Sequence, residues 1–134
     1  MQKDFQKWHK KKEAINKVSE SPFFHEREIW FCHLGANVGF EQDGRGDDFL
    51  RPVVILRKFN NQIFWAVPLT KASKKINKRT ARYYFSFSFI HGVQSVAILS
   101  QIRLIDAKRL GRHIGVMEED LFRELTRKLK KLFP

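Results

Sequence analysis

The chain has a single cysteine, Cys32, among 134 residues, so neither an internal disulfide nor a cysteine-built metal cluster is open to it. That usage fits a reducing cytoplasm. Also missing is any apolar run long enough to span a bilayer, and the N-terminal lysines are not followed by the apolar segment of an export signal. No membrane association and no export are expected. There is no internal repeat, no low-complexity tract, no Ser-His-Asp arrangement, no phosphate-cradling glycine loop and no nucleotide fingerprint. His9, His25 and His113 share no ligand spacing; His33 reads as a packed or sheet-edge residue, and His91, beside Gly92, as a turn residue. No metal and no other cofactor is expected.

Acidic residues are scarce too, 14 against 26 Lys and Arg, which leaves a formal charge of +12. A field of that sign attracts nucleic acid, acidic membrane or an acidic protein, and charge alone does not choose among them. What the chain does have is core material. Apolar residues make up 43% and aromatics 13%, thirteen of them Phe. A domain of this length buries roughly two-thirds of its unfolded surface, so one self-sufficient core is expected.

Residues 1–22 differ in character from the rest. Phe5, Trp8, Ile15 and Val18 recur at a loose helical period, Glu13 and Lys17 stand four apart, and Ser21-Pro22 interrupts the pattern. The reading is a helical extension followed by a domain at 23–134, with Lys10, Lys11 and Lys12 on a solvated face. From Glu28 the pattern becomes one of short strands. Glu28 to Leu34 is aromatic and β-branched; Leu50 to Phe59 contains the continuous apolar run Pro52 to Leu56, typical of a buried strand; Asn60-Asn61 turns the chain into Ile63 to Leu69. A basic loop from Lys71 to Arg82 leads to Tyr84 to Phe89, where Phe and Ser alternate at period two. Ser95 to Ile105 reads as one further strand with Gln101 and Arg103 on the same face, and Cys32 alternates with Trp30 and Leu34 as a core residue. The C-terminal stretch is helical: Leu121, Leu125, Leu129 and Leu132 form a stripe, with acids in the first turn and lysines in the last.

Five segments in order, Glu28-Ile29-Trp30, Gly39-Phe40-Glu41-Gln42, Arg51 to Leu56, Pro68-Leu69-Thr70, and Ile98 to Asp106 with Arg109-Leu110, resemble the MazF/PemK toxin family. The resemblance covers about 80 residues, from Glu28 to Leu110, and leaves out the first 25. It implies a mainly β fold with helices: a small Src-homology-3-like barrel of the MazF/PemK/CcdB kind, closed by the C-terminal helix. It implies a homodimer that cuts single-stranded RNA selectively and is opposed by a cognate antitoxin, expected to present an acidic segment.

The resemblance also implies the site. The family's Arg of the Arg-Pro strand and the Thr after the third strand correspond to Arg51 and Thr70, the catalytic pair, with Glu41 as a third catalytic group. Gln42, Phe40, Gln101, Arg103 and Lys71 follow as substrate-binding residues. The chemistry suits them. Metal-free RNA cleavage uses the neighbouring 2′-hydroxyl as nucleophile, and needs a proton acceptor and cationic donors around the phosphorane. A guanidinium grips phosphate with a fork of hydrogen bonds, and a hydroxyl can donate to a further oxygen. Some family members place a His before the loop Glu and an acid before the strand Gln; here those places hold Phe40 and Ser100, so a His/Asp acid–base version is not expected. Phe40 reads either as a stacking surface for a base or as a core plug. Asp47-Asp48, in a glycine-bearing loop, read as solvated carboxylates, not metal ligands. Two other readings stay open: a gyrase-directed toxin of the same fold, although no Trp follows Trp65, and a non-catalytic RNA-binding barrel.

Overall fold

The computed structural model describes residues 2–71, 76–89 and 92–134. Its elements run α1 (Phe5–Asn16), β1 (Glu28–His33), β2 (Leu50–Lys58), β3 (Ile63–Lys71), β4 (Tyr84–Phe89), β5 (Val93–Ile98), β6 (Arg103–Asp106), β7 (Leu110–Val116) and α2 (Glu119–Lys130). Part of the basic loop after Lys71, and the turn read at His91, lie outside the described residues.

The apolar run of β2 explains the architecture. Val53, Val54, Ile55 and Leu56 are all buried, so both faces of this strand must be covered. On one face Val54 and Leu56 pack with Ile29, Val67 and Leu69, beneath Phe85 and Phe87 of β4 and Leu125 and Leu129 of α2. On the other, Val53 and Ile55 pack with Trp30, Cys32, Phe64 and Ala66, closed over by Phe24, Ile105 and Leu110. Both halves of the alternating pattern are therefore apolar, and one chain supplies both covers.

All pairings are antiparallel, in the order β4-β5-β3-β2-β1-β7, with β6 also on β3. The mainly β fold with helices expected from the sequence is present as a seven-stranded sheet, but among the described residues β4 and β7 do not pair with each other, so the sheet itself is open. The free side of β3 is shared between two partners: Leu69 to Lys71 pair with β5 and Ile63 to Ala66 with β6. The single strand expected from Ser95 to Ile105 is corrected for the same reason. Leu69 faces Ala97 and Ala66 faces Arg103, so three steps back along β3 correspond to six forward, and the surplus is looped out as the 3₁₀ turn Leu99–Gln101. The strict alternation read there fails, as at a bulge that re-aims a side chain.

β7 carried no strand signal. Gly111 and Gly115 dilute it, and its pairing with β1 shifts register twice. Helix α2 is as read: Glu119 and Asp120 in the first turn, Arg127, Lys128 and Lys130 in the last, and Leu125 and Leu129 buried.

In α1 only Trp8 is buried; Phe5 is half exposed and Val18 falls beyond the helix. Glu13 pairs with His9 and not, as the spacing implied, with Lys17. The anchoring of this helix is local but tight. Trp8 packs on Phe49 at 5.3 Å between ring centroids and covers Gly35, whose φ of +84° and missing Cβ both matter. A Cβ there would stand 2.0 Å from Trp8 Cε2. Gly35→Ala should therefore cost at least about 1–3 kcal/mol from left-handed backbone strain alone, read as a lowered urea midpoint with an unchanged m-value.

Cys32 is wholly buried, and burial pushes its thiol up to about 12. The thiolate, which is the reactive form, is thus nearly absent at ordinary pH. A thiol reagent at pH 8 should leave the native chain unmodified and react fully once the chain is unfolded; prompt native-state labelling would contradict this packing.

Candidate functional site

Val53 faces Pro68 across the β2–β3 ladder. Two residues beyond that pair, where the ladder has ended, stand Arg51, paired with Cys32 of β1, and Thr70, paired with Val96 of β5. Both line one cavity of about 720 Å³, together with Arg45, Lys71 and an apolar wall that includes Phe31, Leu69 and Phe89. Three cations and no carboxylate face this space among the described residues. Thr70 is half-buried and its hydroxyl has no hydrogen-bond partner among the described residues; Lys71 is exposed.

Arg51 is 7% exposed, the one charged side chain in the core among the described residues. Burying a cation is costly unless its donors are satisfied. Here Nε donates to the Asp43 carbonyl at 2.5 Å and Nη1 to the Leu69 carbonyl at 3.2 Å. With the Gln42 amide turned so that its oxygen faces the guanidinium, that oxygen accepts from Nε at 3.1 Å and Nη2 at 2.8 Å. Burial, and secondarily the charge of Arg45, pushes Arg51 below its ordinary value, while Asp43 acts in the opposite sense. A guanidinium stays charged under such a shift.

A second recess, of about 280 Å³, is lined by Glu41, Gln42, Gln101 and Arg103 with Asn37 and Ser100. Gln101 reaches it because the looped-out turn throws it off the ladder. Its Oε1 accepts from the Gln42 backbone N–H at 3.3 Å and its Nε2 donates to the Phe40 carbonyl at 3.2 Å. Gln42 is therefore the bridge between the two spaces, touching Gln101 through its backbone and Arg51 through its side chain. Glu41 is exposed, and its Oε1 accepts from the Val38 N–H at 2.9 Å. It does not line the cavity of Arg51 and Thr70.

The expected residues thus fall into two adjoining groups: Arg51, Thr70 and Lys71 in one, Glu41, Gln42, Gln101 and Arg103 in the other. Phe40 lines neither. It is fully exposed, which removes the core-plug reading and leaves an unpartnered aromatic face beside the second recess.

Some of the site was not anticipated. Arg45 was passed over as a loop residue; the available signal was a lone cation between Gly44 and Gly46. The loop carboxylates read as solvated are exposed, and they also meet lysines of α1: Asp47 pairs with Lys7 at 2.6 Å and Asp48 with Lys11 at 3.2 Å. Gly44 is required by close packing, since a Cβ there would fall 1.7 Å from the Phe49 carbonyl oxygen. His33 is the last residue of β1, an interior strand, and its Nδ1 lies 2.6 Å from the Asp48 carbonyl. Among the described residues no group of three or more His, Cys, Asp or Glu is placed to hold a metal, and no helix is long and apolar enough to cross a membrane.

A search of curated proteins found no match. Among solved structures, MazF from Deinococcus radiodurans superposes with a TM-score of 0.62 at 19% identity, over 85% of this chain and 97% of that one. The Mycobacterium tuberculosis toxin MazF-mt6 gives 0.56 at 18%, over 78% and 94%. An endoribonuclease from a Mycobacterial species, in complex with its cognate antitoxin, gives 0.56 at 14%, over 83% and 93%. At such identities the likeness is one of fold. Membership rests on the sequence match, in which residues 25–133 fit the family model for the PemK-like, MazF-like toxin of type II toxin-antitoxin systems. With that match running from just before β1 to the residue next to the last, the chain belongs to the PemK-like, MazF-like toxin family.

Proposed function

We propose that the chain is a sequence-selective, metal-independent endoribonuclease toxin that cleaves single-stranded RNA. The observation that carries this reading is a buried guanidinium and a hydroxyl brought to one cavity whose wall, among the described residues, holds three cations and no carboxylate. A phosphodiester is the ligand such a wall favours. In the reaction, the 2′-oxygen bonds to phosphorus while the 5′-oxygen leaves and takes a proton from solvent water, giving a 2′,3′-cyclic phosphate and a 5′-hydroxyl. Arg51 and Thr70 stabilise the charge that grows on the phosphorane oxygens. Glu41 takes the 2′-hydroxyl proton with the carboxylate oxygen that Val38 leaves free.

The second recess holds the neighbouring base. Gln42, Gln101 and Arg103 supply donors and acceptors for its edge, the exposed Phe40 ring a stacking surface, and Lys71 a phosphate contact. The toxin domain is taken to start at residue 23, two residues before the family match begins, with residues 1–22 as an extension. The working form in this proposal is a cytoplasmic homodimer. Its partner is a cognate antitoxin with an acidic segment that folds into the basic cavity. Relatives of the same fold include an endoribonuclease solved with its antitoxin, which supports that part of the reading.

Purified protein should cut single-stranded RNA in excess EDTA and leave DNA of the same sequence intact, because DNA lacks the nucleophile. Arg51→Ala should lower kcat about 100- to 1,000-fold with the fold retained by circular dichroism, the range for removing one donor to a developing oxyanion. Thr70→Ala removes a neutral hydrogen bond and should cost about tenfold. If Arg51→Ala cuts as fast as the parent chain, the site is elsewhere. Inhibition of gyrase supercoiling without RNA cleavage, or RNA binding without turnover, would replace the nuclease reading altogether.

Saturation with the antitoxin should abolish cleavage. Cutting that continues at full rate in the complex would show that the acidic segment does not occupy this cavity.

A further inference from the structure

Lysine 3 lies ahead of α1, outside the residues that match the toxin family, yet its side chain is only 12% exposed. An ammonium has three N–H donors, and all three of these find oxygen. Lys3 Nζ donates to the Asn37 carbonyl at 2.5 Å and the Gly39 carbonyl at 2.9 Å, and lies 3.0 Å from the Asp43 carboxylate. That carboxylate also accepts from the Asn37 N–H at 2.7 Å. The segment from Asn37 to Asp43, which bears Phe40, Glu41 and Gln42, is thereby folded around one cation.

The same segment ends on Arg51. The Asp43 carbonyl accepts from Arg51 Nε, and the Gln42 amide lies against the same guanidinium. Lys7 and Lys11 pair with Asp47 and Asp48 further along, but those contacts are exposed, and pairs in that setting contribute little. Lys3 is the sheltered member, so it is where the effect should concentrate. Trp8 holds the helix in place by covering Gly35 and Phe49, at the two ends of the loop.

We propose that Lys3 is a positioning residue for the reaction: through Asp43 it fixes the substrate loop and aims the Arg51 guanidinium into the cavity. This rests on the nuclease reading of Arg51. The N-terminal extension then serves as part of the active site's scaffold, although it touches no substrate. A cation with several N–H donors is required because Lys3 Nζ meets three oxygens, the Asn37 and Gly39 carbonyls and the Asp43 carboxylate. Lys3→Arg keeps the charge and the donors, whereas Lys3→Ala leaves the Asp43 carboxylate with only the Asn37 N–H.

The test uses the full chain and two readouts. In single-turnover and steady-state cleavage of a single-stranded RNA, Lys3→Ala should lower kcat of order ten- to a hundredfold while KM changes little, the signature of a displaced catalytic group. Lys3→Arg should recover most of the rate, and Lys10→Ala, an exposed lysine of α1, should match the parent. Independently of activity, the Arg51 Nε–H resonance should be sharp and slow to exchange in the parent and in Lys3→Arg, and broadened or lost in Lys3→Ala.

An unchanged Arg51 Nε–H resonance in Lys3→Ala overturns the proposal. So does cleavage by Lys3→Ala at the parent rate or faster, which would make the contact irrelevant or a restraint. A parent chain that cuts no RNA sinks the nuclease reading instead, and the resonance still decides whether Lys3 holds Arg51.

Discussion

The site depends on the backbone ladder between β2 and β3. A β-hairpin fixes which residues stand opposite each other once its turn and apolar pattern are set, and a slip of one residue would move every side chain to the other face. Asn60 sets the turn, its Oδ1 accepting from the backbone N–H groups of Gln62 and Ile63. The ladder is offset once, between Ile55 and Arg57, and beyond that offset Val53, Val54 and Ile55 face Pro68, Val67 and Ala66. Past the last pair of that ladder, Val53 with Pro68, Arg51 and Thr70 line one cavity. A packing constraint thus delivers a chemical arrangement, with no direct contact between the two side chains needed to specify it.

Arg51 shows what the loop between β1 and β2 is for. A guanidinium at 7% exposure needs acceptors, and the ladder supplies only one, the Leu69 carbonyl. The others come from Asp43 and Gln42, which is why this loop must fold back over the strand entrance. It does so through close approaches of backbone: the Gly44 N–H to the Gly35 carbonyl at 2.8 Å, and paired bonds between Arg45 and Leu50. Gln101 adds a further tie from the looped-out turn after β5. The guanidinium and the loop stabilise each other.

How much of this could be read beforehand follows from where each signal lies. β2, β3, β4 and α2 were legible because burial writes itself into periodicity: a continuous apolar run, a Phe/Ser alternation, a leucine stripe. β7 was not, because an edge strand with two glycines and polar residues makes no pattern. The 3₁₀ turn at Leu99–Gln101 was invisible for another reason: the shift belongs to the partner strand, not to the residues that bulge. At the site, residue types and order pointed to Arg51, Thr70, Gln42 and Gln101 through family resemblance. Their division into two recesses, the burial of Arg51 and the full exposure of Phe40 are properties of the folded loop, and no local pattern encodes them.

The charges of α1 and of the loop are best understood together. The segment from Glu41 to Asp48 carries four carboxylates beside a cavity whose wall is cationic, and four free negative charges there would weaken the attraction for a phosphate by long-range repulsion. Three of the four are paired with Lys3, Lys7 and Lys11. For the outermost pair, the hydrogen bond to Asp47 raises Lys7 above its ordinary value and lowers Asp47 below its own, so both remain charged and offset one another across the neutral range. The fourth, Glu41, has no basic partner among the described residues, and it is the carboxylate assigned to take the proton. The N-terminal segment therefore does more than anchor a loop: Lys3, with Lys7 and Lys11 of α1, matches three of the four acids beside Arg51, Arg45 and Lys71.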